Sequence, residues 1–323
     1  MYRAFGKRPR RAELSYLQNC ISETMKKVVD INSIAEVHKF YNYGKPNHPL
    51  ITIIDLTEVK PDRPKEEVFY RTPLYTVICK RFEGVMKYGK SNYDFDDGSL
   101  MFTAPHQVIS VSPGLHVIEG WGLFFHPDLL HGSELGRKIH EYGFFHYDVN
   151  EALHISEGEK RILLDSLEKI KSEYSQNFDK HTQGLILDNL QLLLNYCTRF
   201  YDRQFLTRSK PSNDIVQRFE RMLNSYFSQK TLIELGLPDV KYFASGLNLS
   251  PNYLSDLLNK YTGKTTLEHI HLHLIDKAKS LLLSTEKSVS EIAYDLGFEH
   301  PSHFTKLFKS RTGAAPRDFR SLN

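Results

Sequence analysis

The sequence predicts an α+β chain: an antiparallel β-barrel, a helical hairpin, and an all-α part in which two helix-turn-helix motifs are joined by a long helix. Three observations predict it. Short β-rich runs recur between residues 50 and 125, helical periodicity replaces them after Pro127, and an internal repeat with an offset of 49 to 50 residues lies near the C-terminal end. With 323 residues and 40% apolar composition, the chain is long enough for about two domains, each with its own core.

Charge and cysteine content narrow the function classes. Lys and Arg number 42 against 39 Asp and Glu, a net charge of only +3, so any nucleic-acid site must be local rather than a property of the whole chain. Cys20, Cys79 and Cys197 are odd in number and contain no CxxC pair, which argues against a disulfide framework or a thiolate zinc site and fits a reducing cytoplasm. The mean hydropathy is −0.43, and neither a long apolar run nor the apolar core of a signal peptide occurs. Membrane spans and secretion are disfavoured.

Residues 1–44 read as an N-terminal extension, partly disordered or helical. Arg3, Lys7, Arg8, Arg10 and Arg11 make either a basic arm for phosphates or a solvated tail, and the sparse structure signals around them favour the tail. Met25 opens a segment that would serve equally well as a chain start, so residues 1–24 are expected to be an upstream extension.

Residues 45–150 form the β-domain. The runs 50–59, 74–82, 100–102, 108–111 and 117–125 are separated by Pro, Gly, Asn and Asp, and Asp97-Gly98 is a hairpin-type turn. Strands at this spacing without intervening helices suggest a small barrel with either a cavity or a filled core. Its interior near Trp121, Tyr93 and His106 is the expected place for a small organic effector, with aromatic walls and His106 as polar anchor. Core packing alone explains Trp121 equally well.

Residues 151–210 are a helical linker. Ile162, Leu163, Leu167 and Ile170 share one helical face, and Leu187, Leu190, Leu194 and Tyr201 share another. Leu185, Ile186, Leu192 and Leu193 widen the second stripe, which serves either intrachain packing or a dimer seam. Residues 203–211 read as a polar connection.

Residues 211–323 carry the repeat. Ala-Ser-Gly-Leu-Asn-Leu at 244–249 matches Ala-Tyr-Asp-Leu-Gly-Phe at 293–298, and 251–263 matches 301–313. Asn248 and Gly297 fall where the turn needs a positive φ, which these residue types tolerate best. Leu254, Leu257 and Leu258 correspond to Phe304, Leu307 and Phe308, giving each second helix one buried face and one free face. Between the copies, Leu267, Ile270, Leu274, Ala278 and Leu281 sit at helical spacing across 265–283 with no Pro or Gly. A rod of about 19 residues spans roughly 29 Å, close to the roughly 34 Å between successive major grooves on one face of DNA. Residues 286–299 are acidic overall, whereas 300–323 carry Lys306, Lys309, Arg311, Arg317 and Arg320 against Asp318. These cations suit phosphates.

These motifs resemble the AraC/XylS family of bacterial transcription regulators. The similarity runs from Asp239 to Arg320 and is most specific from Ser290 onward, in Phe304-x-x-x-Phe308-Lys309, Thr312-Gly313 and Pro316-x-x-Phe319-Arg320. Two positions depart from the family pattern: His273 and Asp256 stand where Arg is usual. The resemblance implies a cupin-like effector-sensing N-terminal domain and a non-enzymatic regulator without a cofactor. Its implied partners are double-stranded DNA, a small-molecule effector, RNA polymerase and a second copy of the chain.

Carried over by position, the exposed readers are Asn252, Ser255 and Asp256 in the first motif and Ser302, Thr305 and Lys306 in the second, with Lys309 and Arg311 toward phosphates and His303 either at a phosphate or simply a surface histidine. Lys306 suits a guanine edge, Asn252 an adenine and Asp256 a cytosine amino group; Asp256 has the alternative of an i,i+4 pair with Lys260. A rival class is a metal-dependent cupin enzyme with an accessory DNA-binding domain, drawing ligands from His106, His116, His126 and His131, whose spacing is poor. A third class is a structural adaptor without operator preference.

Overall fold

The computed structural model describes residues 28–59, 68–83, 86–88, 91–93, 98–111, 116–148, 151–207, 209–228, 232 and 236–321. Its strands are β1 (Val28–Asp30), β2 (Ile51–Asp55), β3 (Val68–Arg71), β4 (Tyr75–Glu83), β5 (Met86–Tyr88), β6 (Ser91–Tyr93), β7 (Ser99–Thr103), β8 (Val108–Val111), β9 (His116–Phe125) and β10 (Leu153–His154). Its α-helices are α1 (Ile34–Tyr41), α2 (Glu134–Lys138), α3 (Glu157–Ser175), α4 (Thr182–Thr207), α5 (Ser209–Ser228), α6 (Val240–Leu247), α7 (Pro251–Thr262), α8 (Thr266–Ser284), α9 (Val289–Asp295), α10 (Pro301–Thr312) and α11 (Pro316–Ser321). The described residues divide into two compact units. One holds those through Gly98 with Thr103–Gly136 and Leu167–Leu187, and the other holds Ser99–Phe102, Arg137–Ser166 and those from Asp188 onward.

In the first unit β4, β9 and β2 are neighbours in that order, all antiparallel. The register pairs Val77 and Ile53 with Leu123, and Cys79 and Asp55 with Trp121. Because side chains alternate along a strand, Ile51, Ile53, Val77, Cys79, Trp121, Leu123 and Phe125 share one face, and all are buried. Ile54, Ile78 and Phe124 emerge on the other, where Ile34 and Val37 of α1 cover them. Helix α1 starts at Ser33, whose side chain accepts from the Glu36 N–H, and stops at Asn42 with φ 51°. A second ladder runs β1-β3-β8, and β5 pairs with β6.

The expected closed barrel is not formed. Among the described residues the strands make open ladders, whereas closure requires pairing that continues around the whole circumference. A register shift between Arg81 and Phe82 interrupts the β4 and β9 pairing, as a bulge does. Asp97 of the expected hairpin turn lies outside the described residues, as do residues 1–27 with the basic arm.

From α5 onward the second unit is organised around one hydrophobic cluster. Phe219, Leu223 and Phe227 of α5 meet Phe243 and Leu247 of α6, Leu254 and Leu258 of α7, Ile270 to Leu282 of α8, Ile292 of α9, and Phe304 and Phe308 of α10. Helix α8 is the expected rod, but Leu267 is exposed and Leu282 takes the buried place at its other end. One helical expectation is corrected, and one of two alternatives is taken. Residues 203–207 continue α4 instead of forming a polar connection, because Phe205 is buried and Arg203 is tied to Glu159 at 2.7 Å and to the His154 carbonyl at 2.6 Å. Pro211 sits in the first turn of α5, where its missing N–H costs nothing. Leu190 and Leu194 are fully buried within the chain, so they are core and not a seam between copies. Leu185 and Leu192, one heptad apart on α4, are 43% and 42% exposed, and Leu206 near its end is 59% exposed.

Candidate nucleic-acid interface

The two repeated motifs match down to single hydrogen bonds. Asn248 has φ 57° and Gly297 has φ 85°, and in each turn the next residue closes back: the Leu249 N–H donates to Ala244 O at 2.9 Å, the Phe298 N–H to Ala293 O at 3.0 Å. Both second helices begin with proline at the first position and end on a left-handed glycine, Gly263 or Gly313. Thr262 and Thr312 each donate from the hydroxyl to the carbonyl four residues back, Leu258 or Phe308, at 2.8 Å. Sequence chemistry of the turn and cap has therefore been repeated together with the apolar pattern.

Helix α10 presents its free face to solvent. Ser302, His303, Lys306, Lys309 and Arg311 are exposed, above a floor of Phe304 and Phe308 that is fully buried. Thr305 is half-buried and its hydroxyl donates to Pro301 O at 3.0 Å. Arg311 lies 3.2 Å from His271 Nδ1 on α8; burial, then the neighbouring guanidinium, hold that imidazole below its usual pKa. Arg320, counted with the phosphate-facing cations by sequence, instead donates to Leu282 O at 2.9 Å and Lys287 O at 2.7 Å. It fastens α11 to the end of the rod. His273 packs its ring 4.9 Å from Phe227.

Helix α7 is placed differently. Asn252 is exposed, while Ser255 is half-buried and donates to Thr266 Oγ1 at 3.1 Å. Asp256, at the position equivalent to Lys306, accepts a hydrogen bond from the Tyr147 hydroxyl. The i,i+4 alternative is not adopted either, since Lys260 pairs with Asp202 of α4 at 3.1 Å. Tyr253 is buried between Tyr147 and Phe205, each ring 5.1 Å away, and the Tyr261 hydroxyl donates to Phe205 O. Burial raises the Asp256 pKa, with Asp202 adding to the effect against the Tyr147 hydrogen bond.

The start of α7 is held as well. Ser250 caps the helix by accepting from the Tyr253 N–H, and it donates its own N–H to Glu151 Oε1 at 2.7 Å and its hydroxyl to Glu151 Oε2 at 2.5 Å. Glu151 is 4% exposed, and desolvation pushes its carboxyl up to about 7 despite these bonds. Helix α4 sets its position: Tyr201 donates to Glu151 O at 3.1 Å, and Gln204 bonds Ala152 O and the His154 N–H. Gly143 makes the approach of the 143–147 turn feasible, because a Cβ there would meet Asp256 Oδ2 at 2.6 Å. Sequence reasoning missed Gly143, Tyr147 and Glu151. The available signal was the dense aromatic run from Tyr142 to Tyr147, which belongs to no helix or strand period.

In the first unit Trp121 is buried and its indole N–H has no hydrogen-bond partner, as is also true of the Thr76 hydroxyl on the opposite face. His106 is exposed in a turn with φ 65°, so it is at the surface rather than in the interior. The Tyr93 side chain lies outside the described residues. Among the described residues no three His, Cys, Asp or Glu side chains converge to hold a metal, and no helix is long and apolar enough to cross a membrane.

A helix-turn-helix domain family model matches residues 243–321. The arabinose operon regulatory protein of Escherichia coli is 32% identical over 83 residues, 26% of this chain and 28% of that protein. YfiF, an uncharacterised HTH-type transcriptional regulator of Bacillus subtilis, is 29% identical over 163 residues, 50% of this chain and 48% of that protein. Among solved structures, the C-terminal domain of the response regulator AraT from Geobacillus stearothermophilus is 30% identical, covering 34% of this chain and 85% of that one, with a TM-score of 0.30. The chain thus spans about half the length of YfiF and just over a quarter of the arabinose regulator.

Proposed function

We propose, from a C-terminal domain of the AraC type, that the whole protein is a sequence-specific, DNA-binding transcription regulator of the AraC/XylS family whose output is set by a small effector. The observation that carries it is the repeated turn on either side of α8. A 19-residue helix is roughly 29 Å long, and α7 and α10 flank it with the same turn, cap and buried face. In this reading Ser302 and Lys306 read base edges, Lys309 and His303 meet phosphates, and Asn252 reads for the first motif. Arg311 serves a phosphate beside His271.

The β-domain within residues 45–150 is the effector-sensing part, of a cupin-like kind, and 151–210 links it to the DNA-binding part at 211–323. The indole N–H of Trp121 supports an effector there, since a buried donor with no partner is costly and a ligand acceptor would satisfy it. Two copies associate through the exposed Leu185 and Leu192 face of α4, and RNA polymerase is the further partner of a cytoplasmic regulator. Footprinting tests the central reading: once Tyr147→Phe frees α7, a monomer protects two major-groove segments about 10 base pairs apart on one side of an asymmetric site. A single short contact, unchanged by substitutions at Asn252 and Ser302, overturns it.

A further inference from the structure

The second unit contains a cleft of about 450 Å³ where three segments meet: the 141–147 turn, α4 from Thr198 to Phe205, and α7 from Asp256 to Lys260. That volume lies within the roughly 300–1,000 Å³ usual for small-molecule sites. Rings supply much of the wall, with Tyr142 and Tyr147 half-buried at its surface and Tyr201 and Phe205 behind them. Its charge is one-sided. Glu141, Asp202 and Asp256 face a single cation, Lys260, which Asp202 already engages at 3.1 Å.

We propose that this cleft binds a small organic cation with an aromatic or alkyl body, and that occupancy clamps the 141–147 turn onto α7. The proposal rests on the reading of α7 as a DNA-reading helix only for its consequence, not for the binding itself. An ammonium centre gains from the negative faces of the tyrosine rings and from the Asp256 carboxylate together. An anion of the same shape meets like charge, and a neutral body covers a carboxylate without compensating it. The burial that raises the Asp256 pKa is the cost that a bound cation removes. A ligand touching all three segments binds only while they are together, so by linkage it stabilises that arrangement. The cation is therefore a negative effector for the first motif, acting at a site lined only by residues of the second unit.

The test titrates the full chain by calorimetry with phenyltrimethylammonium, benzoate and benzyl alcohol. Phenyltrimethylammonium is expected to bind at least about tenfold more tightly than either comparison molecule. Asp256→Asn, which keeps an acceptor for Tyr147, should weaken the cation about tenfold while benzyl alcohol is unaffected; Tyr142→Ala, on the open wall, gives a second reading if Asp256→Asn misfolds. Equal binding of cation and neutral molecule, or cation binding that survives both substitutions but is lost in Trp121→Phe, overturns the proposal. A DNA arm follows: saturating phenyltrimethylammonium should lower operator affinity severalfold in wild type and leave Tyr142→Ala unchanged. If the chain binds no DNA at all, the regulator reading fails while the calorimetric result still decides the cleft.

Discussion

The first and second helix-turn-helix motifs share turn, C-terminal glycine cap and apolar floor, yet one second helix is occupied by its own chain and the other is exposed. At equivalent positions α7 has Asp256 bonded to Tyr147, and α10 has Lys306 in solvent. Ser250 caps α7 and is gripped by Glu151, while His300 at the start of α10 makes no side-chain cap. Leu257 is fully buried, but its counterpart Leu307 is half-buried. The difference teaches that a duplicated fold does not imply duplicated duty. One copy keeps the field for phosphates, and the other has given acidic and aromatic side chains to an intrachain contact.

The largest expected effect follows pH. Burial moves the Glu151 carboxyl from 4.5 to about 7, so the closed arrangement binds that proton more tightly than one with residue 151 in water. Its advantage is complete below about pH 4.5 and is lost as pH rises through about 7, amounting to roughly 3 kcal/mol at most. Fluorescence anisotropy with operator DNA should show first-motif binding strengthening between about pH 5 and pH 8. Glu151→Gln, a permanently neutral side chain, should remove that dependence; an identical pH profile in the variant would break the comparison.

Next come the readers. Lys306→Ala should cost about 1–3 kcal/mol of operator affinity and relax preference at one position. Asn252→Ala should cost little in wild type, under about 0.5 kcal/mol, and approach the Lys306 effect in a Tyr147→Phe background that frees α7. Equal losses at both positions in wild type would mean that α7 is already on the DNA.

Stability should separate the turns. Gly297 has its missing Cβ about 3 Å from the Gly236 and Leu232 backbone, so Gly297→Asn should destabilise by about 1–3 kcal/mol although asparagine tolerates the dihedral. Asn248→Gly should change stability by only about 0.5 kcal/mol in urea unfolding. The smallest effect belongs to Lys309→Ala, which should weaken all DNA sequences alike and lower the salt slope by about one.

How far the sequence could be read tracks how local each cause is. The turn residues, the apolar floor of α7 and α10 and the rod between them depend on spacing within a few helical turns, and they were legible at Asn248, Gly297, Leu254 and Phe304. The strand runs were legible for the same reason, but barrel closure depends on pairing between distant segments and was not. The hold on Asp256 was illegible because Tyr147 lies 109 positions away, and Ser250 meets Glu151 across 99. Nothing in periodicity encodes such a pairing. Arg320 misled for another reason: a guanidinium suits a phosphate and a pair of backbone carbonyls equally, and only the neighbourhood of Leu282 and Lys287 decides.

The single hydrophobic cluster that runs from Phe219 through α8 to Phe308 has a consequence for how the protein can change over generations. Neither motif owns a core, so the two are not separable modules that could be exchanged, loosened or lost one at a time. Amide hydrogens in α6 and in α10 should exchange through one common opening event rather than two. Variation that retunes recognition is thereby confined to the outer skin of each helix, where a residue can be replaced without the cost reaching the neighbouring motif through the shared interior.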